Sequence, residues 1–188
     1  MYKVILQTIL SLGTSPIPSW KRLAEQDTSD SSGFLGKFFY PLLGVTTLAT
    51  FVGILWNRKG FELEYALKTA SLTLMTLFSA FFLSAYLLNK VFVRFFKQPD
   101  NLSHVQHFVG YVASFSYVIH MIMALLPALF FVKFGLLYIP YVIWVGSENF
   151  IPIEEKDRIR FMVTTSFILF WVPILVEKVL LFLMPRLS

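Results

Sequence analysis

Cysteine is absent from the 188-residue chain, which excludes a disulfide framework, a thiolate zinc knuckle and a cysteine nucleophile. Charge is scarce: Asp, Glu, Lys and Arg together make 14% of the residues, against about 25% in soluble domains. Polar low-complexity tracts are also lacking, and 21 Phe with 56% apolar residues leave no compositional room for a disordered chain. No Gly-rich phosphate loop, G-x-S-x-G elbow, H-E-x-x-H pair or Walker-type sequence occurs, so the familiar local signatures of catalysis and cofactor binding are missing. The chain is therefore expected to be non-enzymatic and to need no cofactor.

What is present is long apolar sequence. Phe38 to Trp56 and Thr69 to Asn89 carry no formal charge, and each matches the ~20 residues a helix needs to cross ~30 Å of hydrocarbon. Val105 to Ser147 contains a single charge, Lys133, and is long enough for two spans, with the break expected between Pro127 and Gly135. Phe161 to Met184 makes a fifth, with Glu177 and Lys178 in its last third. The expected fold class is all-α: a five-span transmembrane helical bundle over 38–184, with spans at 38–56, 69–89, 105–127, 130–147 and 161–184. A four-span alternative treats 105–147 as one re-entrant unit.

Residues 1–37 differ in kind. Val4 to Leu12 is apolar but too short to span, and Tyr2, Ile5, Leu6 and Ile9 share a helical face. A signal peptide competes, because Lys3 precedes the stretch, but no A-x-A-like cleavage site follows. The preferred reading is a short interfacial amphipathic helix ended by Pro16 and Pro18, with Trp20, Lys21 and Arg22 as a headgroup anchor. Gln26 to Gly33 then reads as a flexible polar loop.

The net charge of +5 would suggest nucleic acid in a soluble protein. Here the cations flank apolar runs, so anionic lipid headgroups are the expected partner and nucleic acid is not. Ten basic residues fall on the amino-terminal side of five spans and five on the other. The positive-inside rule then places the amino terminus in the cytoplasm and the carboxyl terminus outside, in the cytoplasmic membrane if the chain is bacterial.

Ionisable residues inside spans are expensive and usually face protein or a water-filled cavity. His120, read as the middle of span three, and Glu177 in span five are placed at similar depth by equal rise per residue. They could relay protons, or simply hydrogen-bond two helices together; Lys178 could snorkel outward or pair with Glu177. Asp100, His104 and His107 are a thin candidate for a metal site, and polar residues at the headgroup level are the simpler reading. Ser103 to Gln106 has the pattern of a capping box. Thr46-x-x-x-Thr50, Ala80-x-x-x-Ser84 and Gly110-x-x-x-Ser114 would let helices approach closely, within the bundle or in an oligomer with itself or another membrane protein. Pro140 and Pro173 should kink or break their helices.

Several pieces resemble the Yip (Ypt/Rab-interacting protein) domain family, in particular its small bacterial members. They are Pro16-x-Pro18-Ser-Trp20-Lys-Arg-Leu23, Phe39-Tyr-Pro41-Leu-Leu, Phe108-Val-Gly110-Tyr111, Leu137-Tyr138-Ile-Pro-Tyr141 and Ile153-Glu154-Glu155-Lys156. The resemblance covers roughly residues 15 to 184. It implies a five-span bundle with a cytoplasmic amino terminus, in which Gly110 and Tyr111 serve helix packing. It supplies no catalytic residues. Eukaryotic members bind prenylated Rab-type GTPases, but the long cytosolic region with its DLYGP-type motif has no counterpart here, so a Rab-type GTPase is not an expected partner. Two functions follow as expectations: a membrane scaffold or assembly factor working through helix faces, or a small oligomeric permease or channel with a polar path at His120 and Glu177.

Overall fold

The computed structural model describes residues 2–27, 33–57 and 63–183. Most of the expected polar loop, together with Arg58, Lys59 and Arg186 from the charge count, lies outside the described residues. Every described element is helical: α1 (Tyr2–Thr14), α2 (Pro16–Asp27), α3 (Tyr40–Asn57), α4 (Leu63–Phe96), α5 (Leu102–Leu125), α6 (Ile139–Asn149) and α7 (Arg158–Leu183). Five stretches are long and apolar enough to cross a membrane: Leu35–Asn57, Leu63–Phe96, Leu102–Leu125, Pro127–Asn149 and Glu155–Leu183. An all-α bundle satisfies its backbone within each segment, as hydrocarbon demands.

The helices overrun the charge-free stretches because charge marks the edge of hydrocarbon and does not break a helix. α4 has 34 residues, roughly 50 Å at the usual rise, so its ends extend past a ~30 Å hydrocarbon core. Glu64 and Lys68 pair at 2.7 Å within its first turns. At its other end Lys97 takes a left-handed conformation, φ 53°. There the Gln98 amide donates back to the Phe92 carbonyl at 3.2 Å, closing the helix.

The chain turns here, and this side of the bundle, where α5 begins, is called the first face. Asn101, not Ser103, caps α5, its side chain accepting from the His104 amide at 3.1 Å. Asn is among the strongest N-cap residues, and it stands two positions ahead of the expected capping box. α5 stops at Leu125 because Pro127 cannot continue it. The fourth crossing is then half 3-10 helix, Pro127–Tyr138, bent at Leu129, and half α6, in which Pro140 occupies the first turn. There its missing N–H costs nothing.

The amino-terminal segment is helical as expected, but it packs into the bundle. α1 bends into α2 at Ser15, closely enough for the Arg22 guanidinium to donate to Ser11 Oγ at 3.1 Å. The Tyr138 hydroxyl donates to the Gly13 carbonyl at 3.0 Å, and a Cβ on Gly13 would stand 3.5 Å from Phe115. Phe115 is roughly 20 Å along α5 from its start, well inside the bundle. Trp20 is corrected outright as a headgroup anchor. It is 0% exposed, stacks on Phe108 at 5.3 Å, meets Phe150 at 5.2 Å, and donates its indole N–H to the Val142 carbonyl at 3.1 Å. Lys21 and Arg22 stay outside, as the amphipathic pattern requires.

Candidate functional site

The site begins where α3 and α5 nearly touch. A Cβ on Gly53 would stand 2.6 Å from the carbonyl carbon of Ala124, so only glycine allows this approach. One turn on, the Asn57 amide donates to the carbonyls of Ala124 and Leu125 at 3.3 and 3.2 Å, satisfying backbone acceptors that every helix end leaves open. One turn back, Thr50 Oγ1 meets His120 Nε2 at 3.3 Å. The Thr50 hydroxyl proton is directed at the Thr46 carbonyl, 3.1 Å away. With that proton so placed, Thr50 Oγ1 is left to accept from His120 Nε2–H, in the tautomer that leaves Nδ1 as an acceptor.

His120 lies five residues before the end of α5, not in its middle. Glu177 stands six residues before the last described residue of α7. Both are thus close to the second face, where α5 finishes. They line one cavity of about 720 Å³ between α3, α4, α5 and α7, joined there by Lys133. The Glu177 carboxylate acts electrostatically on the His120 ring, but the hydrogen bond of His120 goes to Thr50. Lys178 is exposed and absent from the lining.

The cavity carries ionised groups at one end only. His120, Lys133 and Glu177 are all exposed, so the end near the second face is open to the surroundings. Tyr65, Thr69 and Thr73 on α4 continue its wall, while deeper down Leu77, Phe81, Val109 and Val112 line it. From Tyr65 to Ser84 the lining follows α4 for roughly 28 Å. Beyond Ser84 and Val109 it ends, because Leu88, Phe92, Phe108 and Phe161 fill the bundle and are buried. Phe161 packs on Phe92 at 4.7 Å and on Phe96 at 5.4 Å, closing α7 against α4 at the first face. Past Val172 no described residue of α7 is buried, and Pro173 withholds the N–H that would bond the Leu169 carbonyl, both residues being in the cavity wall.

The other candidates do not assemble. Asp100 accepts from Asn89 at 2.7 Å and meets Lys90 at 3.4 Å. The Asn89 hydrogen bond, then Lys90, holds its carboxyl below the usual carboxylate range. That contribution is present above the ordinary carboxylate pKa and is lost only on acidification through the lowered one. His104 stacks on Phe150 at 4.5 Å and meets its carbonyl at 3.2 Å, while His107 packs against Phe34 at 4.4 Å. Among the described residues no three such ligands converge on a metal position. Gly110 is filled against by the Phe34 ring, and Tyr111 packs edge-on to Phe34 and Phe38, both at 5.1 Å. The small residues Thr46, Thr50, Ala80, Ser84, Gly110 and Ser114 are buried inside the bundle, so these faces are already used within one chain.

Sequence reasoning missed Thr50 and Lys133 as site residues. The signal for Lys133 was available, as the lone charge in 43 residues; Thr50 was read only as a small packing residue. No protein-family model, no curated protein and no solved structure matches the chain.

Proposed function

We propose that this chain is a non-enzymatic integral membrane protein that binds an amphipathic molecule in its intramembrane cavity, as a carrier or receptor rather than a through-channel. The observation that carries this reading is the shape and polarity of the cavity: open and ionisable near the second face, uncharged, mostly apolar and blind toward the first. Its volume lies within the ~300–1,000 Å³ of ordinary ligand sites, and its charged groups are gathered at one end, as orientation of a ligand requires.

The absence of cysteine makes the test direct. Ser116→Cys, on the cavity wall, should react with a small hydrophilic maleimide added at the second face. Phe108→Cys should stay silent with an impermeant reagent at the first. Adding Ala113→Phe, which fills the cavity from the same helix, should slow the Ser116→Cys reaction at least tenfold. Labelling of Phe108→Cys from the first face would replace this reading with the permease. We also place the amino terminus on the cytoplasmic side, supported by the basic-residue count, in the cytoplasmic membrane if the chain is bacterial. An Asp100→Cys variant reactive only from inside checks that orientation.

A Yip-type scaffold is the second reading. What favours it is α7, on which Phe167, Trp171, Leu175, Val179 and Phe182 remain exposed and offer a long face to another membrane protein, a second copy or lipid.

A further inference from the structure

We infer that the ligand of this cavity is a lipid with a zwitterionic headgroup, one cationic and one anionic centre above an acyl chain; this rests on the cavity reading above. The cavity carries one cation, Lys133, and one anion, Glu177, at its open end. Among the described residues neither forms an ion pair. Opposite charges lining one space without pairing offer a single ligand that carries both signs a charge-assisted partner for each. A purely anionic headgroup would satisfy Lys133 and be repelled by Glu177; a purely cationic one would do the reverse. His120 stands with them, its Nε2–H engaged by Thr50, so its Nδ1 is the atom left to meet a ligand hydroxyl or ammonium.

The rest of the cavity supplies the chain site. Below the charged end the wall has no formal charge, with Leu77, Phe81, Val109 and Val112 beside the hydroxyls of Thr76 and Ser84, and this uncharged wall runs on along α4 for most of roughly 28 Å. One leaflet of hydrocarbon is about half of the ~30 Å core, so an acyl chain fits along it. The exposed end near the second face is where headgroups lie, and a lipid can enter there without burying its charges.

The test uses the full chain in detergent and three fluorescent-acyl lipids of equal chain length: phosphatidylethanolamine, phosphatidylglycerol and uncharged diacylglycerol. Phosphatidylethanolamine should bind at least tenfold more tightly than the other two. Glu177→Gln and Lys133→Ala should each weaken it about tenfold, and Glu177→Gln should leave phosphatidylglycerol equal or improved. Ala113→Phe should abolish binding of all three, with thermal unfolding of each variant confirming the fold. Equal binding of all lipids, insensitive to Glu177→Gln but blocked by Ala113→Phe, would overturn the zwitterion and keep the cavity. Binding untouched by Ala113→Phe would overturn both. Displacement by free phosphoethanolamine at comparable concentration would assign a soluble zwitterion instead of a lipid.

Discussion

Gly53→Val is expected to destabilise the protein by about 3 kcal/mol, the upper end for overpacking a filled interior. The added carbon would stand 2.6 Å from the Ala124 carbonyl carbon, and that neighbour is helix backbone, which cannot turn aside as a side chain can. α3 and α5 must separate, and the damage spreads along a single face. The Asn57 bonds to Ala124 and Leu125 and the Thr50–His120 contact lie one turn to either side. Thermal unfolding in detergent, followed by size-exclusion of a fluorescent fusion, should show a markedly lower midpoint together with loss of ligand binding. Gly110→Val makes the control: there the obstacle is the Phe34 ring, a side chain that can rotate, so a smaller loss is expected. Equal effects at the two glycines would refute the backbone argument.

Trp20→Ala should cost about 3–5 kcal/mol, as aromatic-to-alanine changes in filled cores do. The indole is enclosed by Phe108, Tyr111 and Phe150 and ties α2 to the Val142 carbonyl of α6. Its removal leaves a cavity and also frees the Val142 bond, so α1 and α2 should detach and become sensitive to protease. Trp20→Phe keeps most of the ring area and loses the hydrogen bond, about 1 kcal/mol. A headgroup anchor behaves differently. Its loss would leave the unfolding midpoint unchanged and weaken only membrane association, and that pair of results would restore the interfacial reading.

The five apolar crossings and the all-α class were legible from charge and length, because hydrocarbon tolerates little else. His120 and Glu177 were also legible as candidates, since an ionisable group in an apolar run stands out without any knowledge of packing. Equal rise along two helices starting at the same face gave them similar depth, but that they line one cavity comes from the packing alone. Trp20 was misread because a Trp beside Lys and Arg has the same local pattern whether it meets headgroups or a neighbouring helix. The capping box at Ser103 failed for a related reason: Asn101 competes for the same helix end, and only the backbone geometry decides between them. Helical spacing marked Thr50 as small without showing what it would touch.

Hydropathy and charge spacing, which are properties of the chain alone, thus determined that this protein is a membrane bundle with ionisable residues at similar depth in two of its spans. The tertiary structure decided that the small-residue faces are used up internally and that α7 closes on α4 at Phe161 but walls a cavity beyond it. It also decided that Lys133 joins His120 and Glu177. These outcomes depend on which helix faces meet, and the contacts that settle them join residues some 40 to 125 positions apart, a separation over which no local pattern carries information.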